Sequence, residues 1–291
     1  MSYRRSKKYF QNIKLYGVIG AAVIMAMSVT ACSTAANAAS DTEATQTADA
    51  TASPNGIYSY DDMFTTRDLD VGYEESEAVH INLADDSTTL TMGDDEEETS
   101  VSGVTVDGNI ITITEEGTYI LSGTLTEGQV IVDADDAKVQ LVLDNADITC
   151  ASSAAIYVKN AKKTFITLAD GSENILMNTA EYEAIDDNNI DAVIFSKDDL
   201  TLNGNGTLTI NSEYGHGIVS KDDLKLTSGI YNITAASHAL SGKDSVRIAG
   251  GTFNLVSGKD GIHSENTDDE EKGFVYIAGG DYSIESTGDG I

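Results

Sequence analysis

The sequence predicts an all-β protein, a single-stranded parallel β-helix with three short strands per coil and a coil period of about 22–25 residues. Three observations carry this. From about residue 101 onward, short runs alternate apolar and polar residues and are broken by Gly, Asn and Asp, with no helical periodicity. The runs then repeat: HGIVSKDDLKLTSGIYNITAAS (216–237) is followed by HALSGKDSVRIAGGTFNLVSGK (238–259), each 22 residues long. Finally, each unit divides into three strands with no room for a crossover helix; in the first of these they are GIV, LKLT and YNIT. An antiparallel sandwich would not require equal spacing of equivalent residues, and a calcium β-roll would need a recurring GGxGxD.

The other units follow the same plan. DGIHSENTDDEEKGFVYIAGGDYSIESTG (260–288) is 29 residues with a polar insertion near 266–272, and AVIFSKDDLTLNGNGTLTINSEYG (192–215) is 24. Less regular units cover 156–179 and 139–150. Asp289-Gly290-Ile291 starts a further coil, so the C-terminal end of the domain reads as truncated.

The period assigns faces, because successive side chains in a strand alternate. Leu200/Leu202, Leu224/Leu226, Val246/Ile248 and Val275/Ile277 point inward as stacks, as do Leu208/Ile210, Tyr231/Ile233, Phe253/Leu255 and Tyr282/Ile284. Tyr231, Phe253 and Tyr282 thus read as an interior ladder rather than sugar-stacking rings. Gly206, Gly229, Gly251 and Gly280 precede these positions by two and suit turns with positive φ. Outward on the second strand lie Thr201, Lys225, Arg247 and Tyr276. Charged hydrogen bonds and an aromatic plane are what sugars need, so Lys225, Arg247 and Tyr276 are the candidate carbohydrate face, against a plain solubilising ladder.

Residues 1–31 read as a lipoprotein-type signal peptide. A basic segment (1–14) precedes a 13-residue apolar run (15–27), too short to span a bilayer, and then small residues. Val29-Thr30-Ala31-Cys32 is similar to a bacterial lipobox, which makes Cys32 the lipidated residue. The alternative is cleavage after Ala36-Asn37-Ala38 and secretion. Residues 32–56, rich in Ser, Thr and Ala, form a flexible tether. Residues 57–291 form the β-helix domain, with 57–100 as an irregular N-terminal part or cap. Cys150 alone follows Cys32, so no disulfide framework exists, and Cys150 reads as a small buried residue.

The chain carries 48 acidic and 17 basic residues, and five of the basic ones lie in the first 14 residues. Such a surface excludes nucleic acid as a partner, since phosphate contacts need Lys and Arg. It also excludes docking on anionic headgroups, leaving membrane attachment to an N-terminal lipid anchor. Polyanions remain open where a divalent cation bridges. The acids gather at turns: Asp198-Asp199, Asp222-Asp223 and Asp244 at one corner, and His216, His238, Asp260 and Asp289 before the first strand. Coils stacked about 4.8 Å apart bring equivalent carboxylates within reach of one cation. Hard oxygen donors favour Ca2+ over Zn2+, which makes Asp222, Asp244, Asp260, Glu265 and Asp289 the better ligands and His216 and His238 poor ones.

FTTRDLD (64–70), GVTVDGNIITITEEGTYILSGTL (103–125), QVIVDADDAKVQLVLDNADIT (129–149) and the SKDDLTLNGNGTLTI coils together resemble the carbohydrate-binding, pectate-lyase-like β-helix family of bacterial surface proteins. The resemblance implies a right-handed parallel β-helix, bound Ca2+ and affinity for plant cell-wall glycans of the cellulose or polygalacturonate class. The leading reading is a tethered, membrane-anchored carbohydrate-binding lipoprotein outside the cytoplasm. The alternatives are an enzyme on the same fold and a structural adhesin or spacer. Asn178-Thr179, Asp198-Asp199 and Gly215-His216-Gly217 are faintly similar to polygalacturonases, but Ala180 stands where an acid belongs. A lyase would use Arg247 or Lys225 as its base.

Overall fold

The computed structural model describes residues 59–93 and 100–291. The signal peptide, Cys32, the tether and the run Asp94–Glu98 lie outside the described residues. The chain is a parallel β-helix. Two antiparallel hairpins, Val79–Ala84 with Thr89–Met92 and Val104–Asp107 with Ile110–Ile113, open the domain, and every later strand pairing is parallel. Gln129–Thr149 is one 21-residue strand that turns a corner. Asp136 (φ 52°) and Asn145 (φ 59°) supply left-handed backbone within it, as Asp and Asn tolerate.

From residue 173 onward three ladders are regular. The first stacks Ala192–Ser196, His216–Ser220, Leu240–Gly242 and Ile262–Ser264. The second stacks Leu200–Gly204, Asp223–Leu226, Ser245–Ile248 and Phe274–Ile277. The third stacks Glu173–Asn178, Thr207–Ser212, Ile230–Ala235, Thr252–Ser257 and Asp281–Ser286. In the second ladder Leu200 pairs with Leu224, Leu224 with Val246, and Val246 with Val275, so the sequence period is the coil period. Leu200, Leu224 and Val246 are fully buried in one core column, with Val275 packed against it.

The aromatic column points inward as well. The rings of Tyr231 and Phe253 stack at 5.2 Å, and those of Phe253 and Tyr282 at 5.0 Å, with planes within 11° and 8°. Burial leaves the Tyr hydroxyls one recourse, and each donates to a turn carbonyl three residues back: Tyr231 to Ser228 and Tyr282 to Gly279. Gly229, Gly251 and Gly280 adopt positive φ in those turns, but Gly206 does not. In that longer coil the left-handed residue is Gly204 (φ 108°), where a Cβ would sit 2.2 Å from the Leu168 carbonyl oxygen.

Candidate functional site

The second ladder presents Thr201, Lys225, Arg247 and Tyr276 outward in register, as its alternation requires. This face is covered. Two one-turn helices, α1 (Tyr60–Met63) and α2 (Thr66–Leu69), form a strap along the coils. Ser59 and Thr65 cap them in reciprocal capping boxes with Asp62 and Asp68, which lets such short helices hold their shape. Phe64 packs 6.1 Å from Tyr276 at one end, and at the other Tyr73 packs against Ile120, Val142 and Ala169.

Asp68 fastens the strap. Its carboxylate is fully buried, accepting from Lys163 Nζ at 2.5 Å and Thr201 Oγ1 at 2.8 Å, with Lys225 Nζ at 3.5 Å. Oδ2 also accepts from the Thr65 N–H and hydroxyl. Burial pushes this carboxyl up, but the Lys163 hydrogen bond, the Thr65 amide and the charges of Lys163 and Lys225 outweigh it and hold it well below the usual carboxylate range. Asn203 and Thr227 donate to backbone carbonyls of the strap, and the Arg67 guanidinium lies 4.4 Å over the Phe165 ring.

Lys225 is therefore an internal partner of Asp68 and only 6% exposed. Arg247 forks onto Asp223 at 3.0–3.1 Å and also reaches the Met63 carbonyl. Of the three candidate carbohydrate residues Tyr276 is the least enclosed, a half-buried ring against the buried Phe64, on whose other side stands the 40% exposed Tyr60. Arg247 held in this way is not poised as a proton-abstracting base. His216 and Asp198-Asp199 stand at opposite ends of the first-ladder strands, so no polygalacturonase-like cluster forms from them. The Cys150 thiol, pushed up to about 11 chiefly by burial, is no nucleophile.

The five candidate metal ligands fall into two groups at different corners. Asp222 and Asp244 follow the first ladder, joined coil to coil by the Asp244 N–H donating to the Asp222 carbonyl. Asp244 is ion-paired with Lys272 at 2.6 Å and accepts from Asn266, both supplied by the polar insertion of the 29-residue unit. The Asp222 carboxylate has no such partner among the described residues. Burial, then Asp244, Asp199 and Asp198, raises its carboxyl above the ordinary value. Asp198 and Asp199 each give one oxygen to a backbone N–H, of Ala161 and Asp223 respectively. Among the described residues the oxygens of this corner do not converge as a group of three within 4.8 Å, so a hard cation such as Ca2+ would have to draw these carboxylates together.

The other group, Asp260, Glu265 and Asp289, precedes or flanks the first ladder beside histidines. Asp260 accepts from His263 Nδ1 at 2.9 Å and from the Asp289 N–H, while Glu265 and Asp289 are exposed. Asp68 and His263 carry no signal of their roles in the sequence. His263 lies three residues past the coil start that His216 and His238 mark, so the repeat does not single it out, and nothing local distinguishes Asp68 from other acids near the N-terminus.

Coils of this kind define a β-helix of the polysaccharide lyase-like class. A solved structure of the polysaccharide lyase-like protein from C. thermocellum, a gadolinium derivative, matches with a TM-score of 0.66 and 34% identity over 73% of this chain and 92% of its own. The chain belongs to the carbohydrate-binding domain family, whose model, described as carbohydrate-binding domain-containing protein, matches residues 107–291. A protein of Acetivibrio thermocellus with the same description is 43% identical over 195 residues, 66% of this chain and 68% of its own length.

Proposed function

We propose that the chain is a cell-surface lipoprotein, anchored through Cys32, that holds plant cell-wall type polysaccharide, cellulose-like or polygalacturonate, with the assistance of Ca2+. The family supports the carbohydrate. The observation that carries the calcium is the acidic corner: among the described residues the Asp222 carboxylate has no hydrogen-bond or ion-pair partner, and burial with Asp244, Asp199 and Asp198 raises it against the opposing charge of Lys272. A polyuronate meets a surface of net charge −31 favourably only where cations lie between. Asp222, Asp198, Asp199 and Asp244 would hold the ion, and the ion would neutralise carboxylates on both partners. The exposed Tyr60 and the half-buried Tyr276 supply the rings on which a neutral glycan chain would lie.

Co-sedimentation tests the reading. Retention on polygalacturonate gel is expected in Ca2+, lost in chelator and reduced about tenfold or more in Asp222→Ala. Retention on insoluble cellulose is expected to survive chelator and to weaken in Tyr276→Ala. Binding to neither polymer, or polyuronate binding indifferent to chelator, refutes it. Accumulation of unsaturated uronate product in the same tubes would identify a lyase instead.

The metal alone gives a second measurement. A ligand that binds only the folded state stabilises it by mass action, by about 2.7 kcal/mol at a concentration 100 times Kd. Ca2+ is therefore expected to raise the melting temperature at pH 7. The raised folded-state carboxyl of Asp222 makes its contribution most favourable below the unfolded value near 4, and that contribution is lost as pH rises through the folded value. Calcium relieves that loss, so its effect on the melt should shrink toward pH 4, where the ligands take up protons. A melt unchanged by EDTA at pH 7 would remove the metal from the acidic corner.

A further inference from the structure

Three of the four histidines share one column. The rings of His216 and His238 stack with centroids 5.1 Å apart, and those of His238 and His263 at 4.1 Å, each pair within 18° of parallel. The column follows from the repeat. The residue preceding the first-ladder strand returns to the same corner in each coil, and its side chain accepts the backbone N–H of its successor. His238 N–H donates to His216 Nδ1 at 3.3 Å, Asp260 N–H to His238 Nδ1 at 3.2 Å, and Asp289 N–H to Asp260 Oδ1 at 2.9 Å. His263 enters the column from the strand Ile262–Ser264, three residues past Asp260.

These bonds assign the protons. A backbone N–H only donates, so His238 Nδ1 carries a lone pair. A carboxylate only accepts, so His263 Nδ1, 2.9 Å from Asp260 Oδ2, carries a hydrogen. That same Oδ2 lies 3.3 Å from His238 Nδ1. An anionic oxygen and an imidazole lone pair thus face each other with nothing positive between them. A proton placed on His238 Nδ1 would mend that contact but would abolish the acceptor for the Asp260 N–H. Each atom already accepts one hydrogen bond, from the Asp260 N–H and from His263 respectively, and the two electron-rich atoms are left in contact.

We propose that His238, Asp260 and His263 form a site for a borderline divalent ion, Zn2+ in the first instance, distinct from the oxygen-only corner at Asp222. The three donor atoms lie within 4.8 Å of one another. Donors bound to a tetrahedral ion at about 2.0–2.1 Å stand roughly 3.3 Å apart. The contacts at 2.9 and 3.3 Å are near that spacing. Two imidazoles and one carboxylate with a fourth position open to solvent is a donor set suited to zinc, nickel or copper and poor for calcium, which takes six to eight oxygens. Glu265 Oε2, 3.8 Å from His263 Nε2, stands where a second carboxylate orients a ligating ring.

Capture asks for two local changes. Stacked rings aim their lone pairs side by side, so His263 must turn about its side-chain torsions. It is the most exposed ring of the column, at 29% against 12% for His238 and 17% for His216. Its Nδ1 proton passes to solvent as the ion takes its place, and the 3.2 Å bond from the Asp260 N–H is given up.

Isothermal titration of the protein with zinc chloride, in buffer saturated with Ca2+, tests this. One Zn2+ per chain is expected, with proton release that scales with the buffer's ionisation enthalpy. Affinity is expected to fall at least about tenfold in His238→Ala and in His263→Ala and to be unchanged in Asp222→Ala. His263→Gln keeps a hydrogen-bonding group toward Asp260, so its loss of affinity with an unaltered circular dichroism spectrum separates a missing ligand from a damaged fold. Co2+ in place of Zn2+ is expected to give the strong visible absorption of a four-coordinate site. No binding by the wild type, or equal binding by wild type and both His variants, overturns the proposal. Calcium is present throughout, so a failure of the calcium reading leaves this result unaffected, and retention of zinc by Asp222→Ala tells the two sites apart.

Discussion

Asp68→Ala is expected to detach the N-terminal strap and to lower stability by about 3–5 kcal/mol, the usual cost of removing one partner from a buried ion pair. The substitution strips the carboxylate that faces Lys163 and Lys225, leaving two ammonium groups close together under cover. Burial, then the neighbouring Lys163 charge, already holds Lys225 below its ordinary value, so this variant makes a strained cation worse. Thr201 loses its acceptor, and the α2 capping box loses the carboxylate that closes it. Exchange of the amides of residues 60–69 should rise, with the coils beneath remaining protected. The pH dependence has a definite sign. The folded-state carboxyl of Asp68 is depressed, so its stabilisation is present above the unfolded value near 3.9 and is lost as pH falls below that toward the folded value. Asp68→Ala should lose that part of the acid sensitivity. Unchanged exchange in the strap would show that the capping boxes and the Phe64 and Arg67 contacts hold it alone.

The strap also explains which parts of the site were legible in the sequence. Register was legible because the coil repeats: one alignment of 216–237 with 238–259 places Lys225 beside Arg247 and Leu224 beside Val246, as found. Cover was not legible. Asp68 meets Thr201 and Lys225 across separations of 133 and 157 residues, and no periodicity connects a non-repeating segment to a repeating one. Lys225 and Arg247 on so acidic a chain suggest a place for ligand, yet Lys225 meets Asp68 of the N-terminal strap and Arg247 meets Asp223 of the coils. The acidic columns were legible for the same reason as the register, while their counter-ions were not. Lys272 reaches Asp244 from an insertion outside the repeat, and Arg247 reaches Asp223 from the neighbouring coil. His263 joins the histidine column three residues out of phase with His216 and His238, so the repeat does not place it there.

Phe253→Ala carries the second large effect because it removes the middle of a stack rather than its edge. Phe253 is fully buried between Tyr231 and Tyr282, with a ring on each side at 5.2 and 5.0 Å. Truncating a buried Phe costs about 3–5 kcal/mol, and the variant also forfeits two ring–ring contacts worth roughly 0.5–1.5 kcal/mol each. Backbone pairing of Thr252–Ser257 to both neighbours does not depend on the ring, so the ladder has no reason to change register. The loss is local because each coil touches only the coils beside it. Tyr282 has Phe253 as its stacked partner and is half-buried, whereas Tyr231 is fully buried and paired on its other side with Leu208. Amide protection over Asp281–Ser286 should therefore fall first, with Thr207–Ser212 retaining wild-type exchange. Phe253→Leu, which keeps the interior filled but not stacked, should cost less than half as much. A loss below about 1 kcal/mol in Phe253→Ala would mean that this column is not a packed core, since that is under the range for large-to-small core changes. Equal loss of protection across all three ladders would instead show that the coils unfold as one cooperative unit.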